Sequence, residues 1–193
     1  KSNILKVVIN MIVVIDFIAY DLPNDTFALK EFGLWSIAPD AKNNTVTSHY
    51  SFKPPYEWSK LPSEYQRTYE AHSKHHGIPW DKGTTPFNAM IPAIIDDLRH
   101  VTGIYVASAK AKVVLTELIG DRKEIAVLEN LGWFDKNEVV KNSCNLHRGK
   151  GNNCAYDNAR RMSIWININQ MIVDASGFEP TVSIMKHVDV NKN

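Results

Sequence analysis

The segment CNLHRGKGNNCA, residues 144–155, contains both cysteines of a 193-residue chain, with a histidine between them. Cys144 and His147 are separated by two residues, so a thiolate and an imidazole meet around a single turn. Cys154 follows after six residues that include Gly149, Gly151, Asn152 and Asn153, which let the chain fold back on itself. Sulfur and imidazole nitrogen are the donors that borderline-soft zinc prefers in tetrahedral sites. Three donors leave one position open, for a further side chain in a structural site or for water in a catalytic one. The same residues admit two other readings: a Cys144 to Cys154 disulfide, or two unrelated buried thiols.

A second cluster, HSKHH, carries His72, His75 and His76. His72 and His76 are four apart and share a helix face, which is a ligand spacing. The ordinary reading is a wet helix end, where protonated histidine suits the C-terminal dipole.

Composition bounds what these groups can serve. With 44% hydrophobic and 22% charged residues the chain has the material for one globular domain, taken as residues 1–193. A formal net charge of +1 excludes a polycation that coats nucleic acid, and leaves a local basic patch as the means of meeting phosphates. Two cysteines are too few for a disulfide scaffold, so a reducing compartment is expected. The apolar run beginning at Leu5, LKVVINMIVVIDFIAY, is broken by Asn10 and Asp16 and falls short of the roughly 20 residues of a membrane helix. It reads as a long buried strand, and without a small-residue cleavage site it is not expected to be a signal peptide. The abrupt start at Lys1 suggests a domain excised from a longer protein.

The elements that must position the cluster follow from pattern. LKVVINMIVVIDF, FALKEFGLWSIA and TVTSHYSF read as three strands, separated by the turns DLPND and APDAKNN, and form an antiparallel start. SEYQRTYEAHSKHHG reads as a helix with Ser63 as N-cap and Gly77 as its stop. PFNAMIPAIIDDLRHVTG reads as a second helix that opens at Pro86 and is kinked or delayed by Pro92. IYVAS reads as a buried strand, AKAKVVLTELIG as a helix stopped by Gly120, and EIAVLENLG as a further short element. CAYDNARRMSIWININQMIVDASG reads as the last long helix. The order predicts an α/β domain with a central mixed sheet flanked by helices.

That order is the one used by ribonuclease-H-like exonucleases, in which four carboxylates gather two magnesium ions. Here Asp16 is followed by Phe17 and Ile18, so the second acid of the first motif is missing. Between Gly103 and Gly120 the only acid is Glu117, while Lys110 and Lys112 would repel a cation. Asp157 survives near the start of the last helix, with Cys154 where a histidine is wanted. A working two-metal site is not expected.

Cys-x2-His-x6-Cys-Ala downstream of such a sheet resembles the MAEL domain of the Maelstrom family, animal germline proteins of the piRNA pathway. KEFGLWSIA resembles that family's glutamate-containing second strand, and HYSFKPPYEWSKLPSEYQRTYEAHSKHHGIPWD its following strand, turn and helix. The resemblance spans about Leu5 to about Asp174. It implies a ribonuclease-H-like fold with a degenerate nuclease site, and a structural zinc held by Glu31, Cys144, His147 and Cys154. Glu31 rests on the resemblance alone. It further implies binding of single-stranded RNA, transposon silencing with piRNA-pathway proteins as partners, a place in perinuclear nuage and the nucleus, and no membrane association. Full-length members usually carry an HMG box, which this chain lacks.

Lys141, Arg148, Lys150, Arg160 and Arg161 surround the zinc motif, with Asp157 as the opposing charge and Tyr156 and Trp165 nearby. Cations that track phosphates, interleaved with rings on which bases stack, suit sequence-tolerant binding of single strands. Arg148 and Lys150 are the expected RNA contacts on a loop that zinc holds rigid; Trp165 is expected in the core. Three functions follow: an RNA-binding module on a disabled nuclease fold, a weak magnesium-independent endoribonuclease, or an interaction scaffold with purely structural zinc.

Overall fold

The computed structural model describes residues 11–37, 45–134, 144–147, 154–169, 172–173 and 180–181. β1 (Met11–Leu22) buries three consecutive aliphatic residues, Val13, Val14 and Ile15, as a strand covered on both faces does. It turns through Pro23, Asn24 and Asp25 into β2 (Thr26–Ser36). Asn24 and Asp25 take φ of 64° and 52°, the left-handed region that short Asx side chains tolerate. β3 (Thr47–Ser51) pairs antiparallel with β2, which pairs antiparallel with β1, so the predicted antiparallel start is present.

α1 (Ser63–His76) ends as predicted at Gly77, in the left-handed conformation at φ 69°. Ser63 is its first helical residue rather than its N-cap; Pro62 occupies that position. Pro86 precedes a 3-10 turn, Phe87–Ala89, and α2 (Met90–Asp97) follows. Pro92 is the third residue of α2, within the first turn, where a backbone N–H has no intrahelical partner to lose. The proline delays the helix instead of kinking it. β4 (Val101–Val106) then runs parallel to β1. α3 (Ala109–Ile119), capped by the Ser108 side chain, leads to β5 (Glu124–Val127), parallel to β4.

The sheet order is β3-β2-β1-β4-β5, a mixed sheet with helices on both faces. On one face Val13, Ile15, Phe32 and Leu34 pack with Met90 and Ile94 of α2 and Leu115 and Ile119 of α3. On the other, Val14, Tyr105 and Leu128 receive Met162 and Ile166 of α4 (Ala155–Ile168). The last helix therefore ends well before the predicted Gly177. Asn169 Nδ2 donates to the Trp165 carbonyl at its end, and the chain goes on to a small antiparallel pair, β6 (Ile172–Val173) and β7 (Pro180–Thr181).

A bulge in β2 sets up the functional region. Ile18 pairs with Glu31 but Ala19 pairs with Leu29, leaving Lys30 as the extra residue. A bulge reverses the in-out alternation, which is why Leu29 and Phe32 both lie in the core with α2 and α3. Beyond it, Glu31, Gly33 and Trp35 share the opposite face, toward α4. Lys30 is itself fully buried, its ammonium donating to the backbone carbonyls of Phe52, Trp80 and Lys82. Three acceptors match its three donors, so the charge is accommodated and the bulge is fastened to the segment after α1.

Candidate metal centre

Three elements converge beside the bulge. Glu31 comes from β2, Cys144 and His147 from the turn at 144–147, and Cys154 from the N-cap of α4. Their ligand atoms all lie within 4.8 Å of one another. Glu31 Oε1 is 3.0 Å from His147 Nε2, 3.5 Å from Cys154 Sγ and 3.8 Å from Cys144 Sγ, and the two sulfurs are 3.7 Å apart. A tetrahedron with Zn–S bonds of about 2.3 Å has an S–S edge of about 3.8 Å, and oxygen or nitrogen legs of about 2.0 Å shorten the other edges to roughly 3.3–3.5 Å. The donors thus have the types and spacing of a closed, four-ligand zinc site.

The sulfur separation also answers the two other readings of the cysteines. It is far above the roughly 2.05 Å of a disulfide, and both thiols are free. Nor are they unrelated core thiols, because they face a carboxylate and an imidazole.

Neighbouring groups aim each ligand. His147 Nδ1 donates to the backbone carbonyl of His76, which directs Nε2 to the centre. Glu31 Oε2 accepts the Ala155 N–H at 2.8 Å, so the carboxylate also caps α4 and complements its dipole. The HSKHH motif enters here through that carbonyl and not through its side chains. His76 is buried rather than wet, and its Nδ1 accepts the Ile78 N–H at 3.1 Å. Burial, with the charge on His147, lowers its pKa to about 4.

The proton inventory shows what a metal would displace. Burial would raise the Glu31 pKa, but hydrogen bonds from His147 and His49, the His147 charge and the Ala155 N–H hold it at about 2. The hydrogen bond from Cys154 outweighs burial to bring Cys144 down to about 5. Burial lowers His147, yet its hydrogen bonds to Cys144 and Glu31 and the Glu31 charge raise it to about 10. Cys154 is raised by its hydrogen bond to Cys144, by burial and by the Glu31 charge. At neutral pH the ligand set therefore carries two protons that a metal would displace: the Nε2 proton of the His147 imidazolium, whose Nδ1–H stays on the His76 carbonyl, and one held by the Cys144 and Cys154 pair. Zinc binding is expected to release both, and affinity to fall as pH falls. Calorimetry in buffers of different ionisation enthalpy measures the number; release of no proton would contradict this arrangement.

The residues expected to meet RNA separate. Arg160 is exposed, with its guanidinium carbon 5.5 Å from the centre of the Trp35 ring. Arg161 is half-buried and donates to Asn158 Oδ1 at 2.5 Å; Asn158 in turn donates to Asp16 Oδ2 at 2.9 Å. Asp157, the opposing charge among them, is buried. Trp165 packs edge-on against Trp133, ring centres 5.5 Å apart, beside the core cluster of Met162 and Ile166. Lys141, Arg148 and Lys150 lie outside the described residues.

Two functional neighbours were missed from sequence. His49 Nε2 is 2.8 Å from Glu31 Oε1, and its ring stacks on Tyr156 with centres 5.0 Å apart. Trp35 meets the other side of this group, 5.2 Å from Tyr156. Strand alternation alone relates Glu31, Gly33 and Trp35; the pairing Gly33↔His49, which brings in His49, appears only with the register.

Among the described residues no other group of three or more His, Cys, Asp or Glu side chains is placed to hold a metal, so no four-acid nuclease cluster is present there. No described helix is long and apolar enough to cross a membrane. The chain matches no protein-family model and no curated protein sequence.

Proposed function

We propose that this is a single-stranded RNA-binding domain of the Maelstrom (MAEL) type: a ribonuclease-H-like sheet that has lost its magnesium site and is held by a structural zinc. In this reading it acts with piRNA-pathway proteins in germline transposon silencing, in perinuclear nuage and the nucleus. The sheet order β3-β2-β1-β4-β5 supports the fold assignment. The Glu31, Cys144, His147 and Cys154 cluster supports the zinc, which would act by cross-linking β2, the 144–147 turn and α4.

The observation that carries RNA binding is a strip beside the metal centre: His49 stacked on Tyr156, Tyr156 tilted against Trp35, and Arg160 over Trp35. A cleft of about 390 Å³ opens next to it, lined by Trp35, Thr45, Arg160, Ser163 and Asn167. Rings that accept bases, next to a cation that accepts phosphate, are what sequence-tolerant single-strand binding uses. His147, as a zinc ligand, is not free for acid-base chemistry, which places cleavage second.

The test is fluorescence anisotropy with a labelled oligouridine and a matched duplex, over a salt series, with gel readout for cleavage in magnesium and in EDTA. Single strands should bind in preference to duplex. Trp35→Ala should cost about 1–3 kcal/mol, the range for one stacked base, and Arg160→Ala should reduce the salt slope by about 1. Affinity unchanged in both variants would move RNA off this strip. No binding by the parent would leave an interaction scaffold, and cleavage that persists in EDTA would make the domain a magnesium-independent endoribonuclease.

A further inference from the structure

We infer that His49 is a positioning residue of the metal centre, whose Nε2–H bonds Glu31 Oε1 and, together with the Ala155 N–H on Oε2, fixes the orientation of the carboxylate toward the other three donors. The inference rests on the metal reading of the cluster and is independent of RNA binding.

A carboxylate ligand is aimed by the groups that hold its two oxygens. Glu31 Oε2 is engaged by the Ala155 N–H at 2.8 Å. Oε1 faces His147 Nε2 and both sulfurs, yet it is also 2.8 Å from His49 Nε2. An sp² oxygen has two lone pairs. Oε1 can therefore face the three other donors and still accept a hydrogen bond from His49. His49 does not belong to the group of four whose ligand atoms lie within 4.8 Å of one another, and its Nε2 stands 4.0 Å from Cys154 Sγ. It therefore contacts the ligand from outside the ligand set.

Its orientation is fixed from two sides. The ring lies nearly parallel to Tyr156, at an interplanar angle of 26°. Its backbone is held by the β2–β3 ladder, where His49 pairs with Gly33, two residues from Glu31 along β2. Groups that orient ligands in this way are worth about 10- to 100-fold in metal affinity.

The experiment titrates Co(II) into the full chain and into His49→Phe and His49→Gln, reading the visible d–d bands, with zinc affinity measured by chelator competition. Phenylalanine keeps a ring against Tyr156 but donates nothing; glutamine restores an N–H donor. The parent should show the intense bands of four-coordinate, thiolate-bound Co(II). His49→Phe should show weakened bands, as Glu31 loses one of the two groups that orient it, and zinc binding about 10- to 100-fold weaker. His49→Gln should recover most of both, whether or not His49→Phe folds well. A His49→Phe protein with parental spectrum and affinity overturns the inference, as does a parental spectrum of five-coordinate Co(II) that becomes four-coordinate in both variants, which would make His49 a ligand. No Co(II) or zinc binding by the parent would remove the metal reading itself, and the inference with it.

Discussion

Removing the metal, by chelator or by Cys154→Ser, is expected to lower the melting temperature by about 10–20 °C. Structural zinc contributes about 10–16 kcal/mol in small fingers that have no other core. This domain differs, because Val13, Ile15, Phe32, Ile94 and Leu115 on the face of the sheet covered by α2 and α3 are buried without help from the centre. The sheet should stand, and the loss should fall on the attachment of α4 and the 144–147 turn. A net contribution of about 5 kcal/mol, at about 2–4 °C per kcal/mol for a chain of this size, gives the expected shift. Cys154 is the informative position: it is fully buried, stands at the N-cap of α4 and lies 3.5 Å from Glu31 Oε1. Serine keeps its volume nearly unchanged while removing the soft donor. Thermal melts of parent and variant, each with zinc and with EDTA, decide the matter. The parent should respond strongly to chelator and Cys154→Ser weakly; a parent that melts identically in zinc and EDTA would deny the centre a structural role.

The parts of this centre were legible to different degrees, for a physical reason. Cys144, His147 and Cys154 lie within eleven residues, so their chemistry shows in spacing alone. Glu31 does not: KEFG reads as an ordinary strand, and only the resemblance pointed to it. What makes Glu31 inward-facing is the bulge at Lys30, which is a relation between β1 and β2 and leaves no local mark. His49 was illegible on the same grounds, since it reaches Glu31 through the β2–β3 register. His76 was misread because a helix end rich in Lys and His looks solvated. Its burial comes from packing against Tyr69, with ring centres 5.7 Å apart, and from the Ile78 N–H that its imidazole accepts. Pattern alone overextends the last helix, because its apolar spacing continues into Ile172 and Val173, which the chain uses as a strand. Strand alternation, by contrast, recovered the antiparallel start, and the caps at Gly77 and Gly120 stopped their helices where expected.

The second large effect belongs to a residue with no side chain. Gly33→Ala is expected to destabilise the fold and weaken the metal centre together. A Cβ at Gly33 would lie 2.4 Å from the Cα and N of Tyr156 and 2.5 Å from the carbonyl carbon of Ala155. These are backbone atoms at the start of α4, so no rotamer change relieves the contact. To reach an ordinary separation of about 3.5 Å the helix end must retreat by about 1 Å. Gly33 and Glu31 share a face of β2, so that retreat draws the Ala155 N–H away from Glu31 Oε2, 2.8 Å distant, and Cys154 away from the other ligands. Overpacking costs about 1–3 kcal/mol, and loss of a hydrogen bond to a charged group about 1.5–3 kcal/mol more. The sum of about 2.5–6 kcal/mol corresponds to roughly 5–24 °C in melting temperature. Thermal melts and chelator competition on the same variant test the coupling. If Gly33→Ala melted well below the parent but kept parental zinc affinity, α4 would be packed by Gly33 without being aimed by it, and the ligand geometry would be set by the 144–147 turn and Cys154 alone.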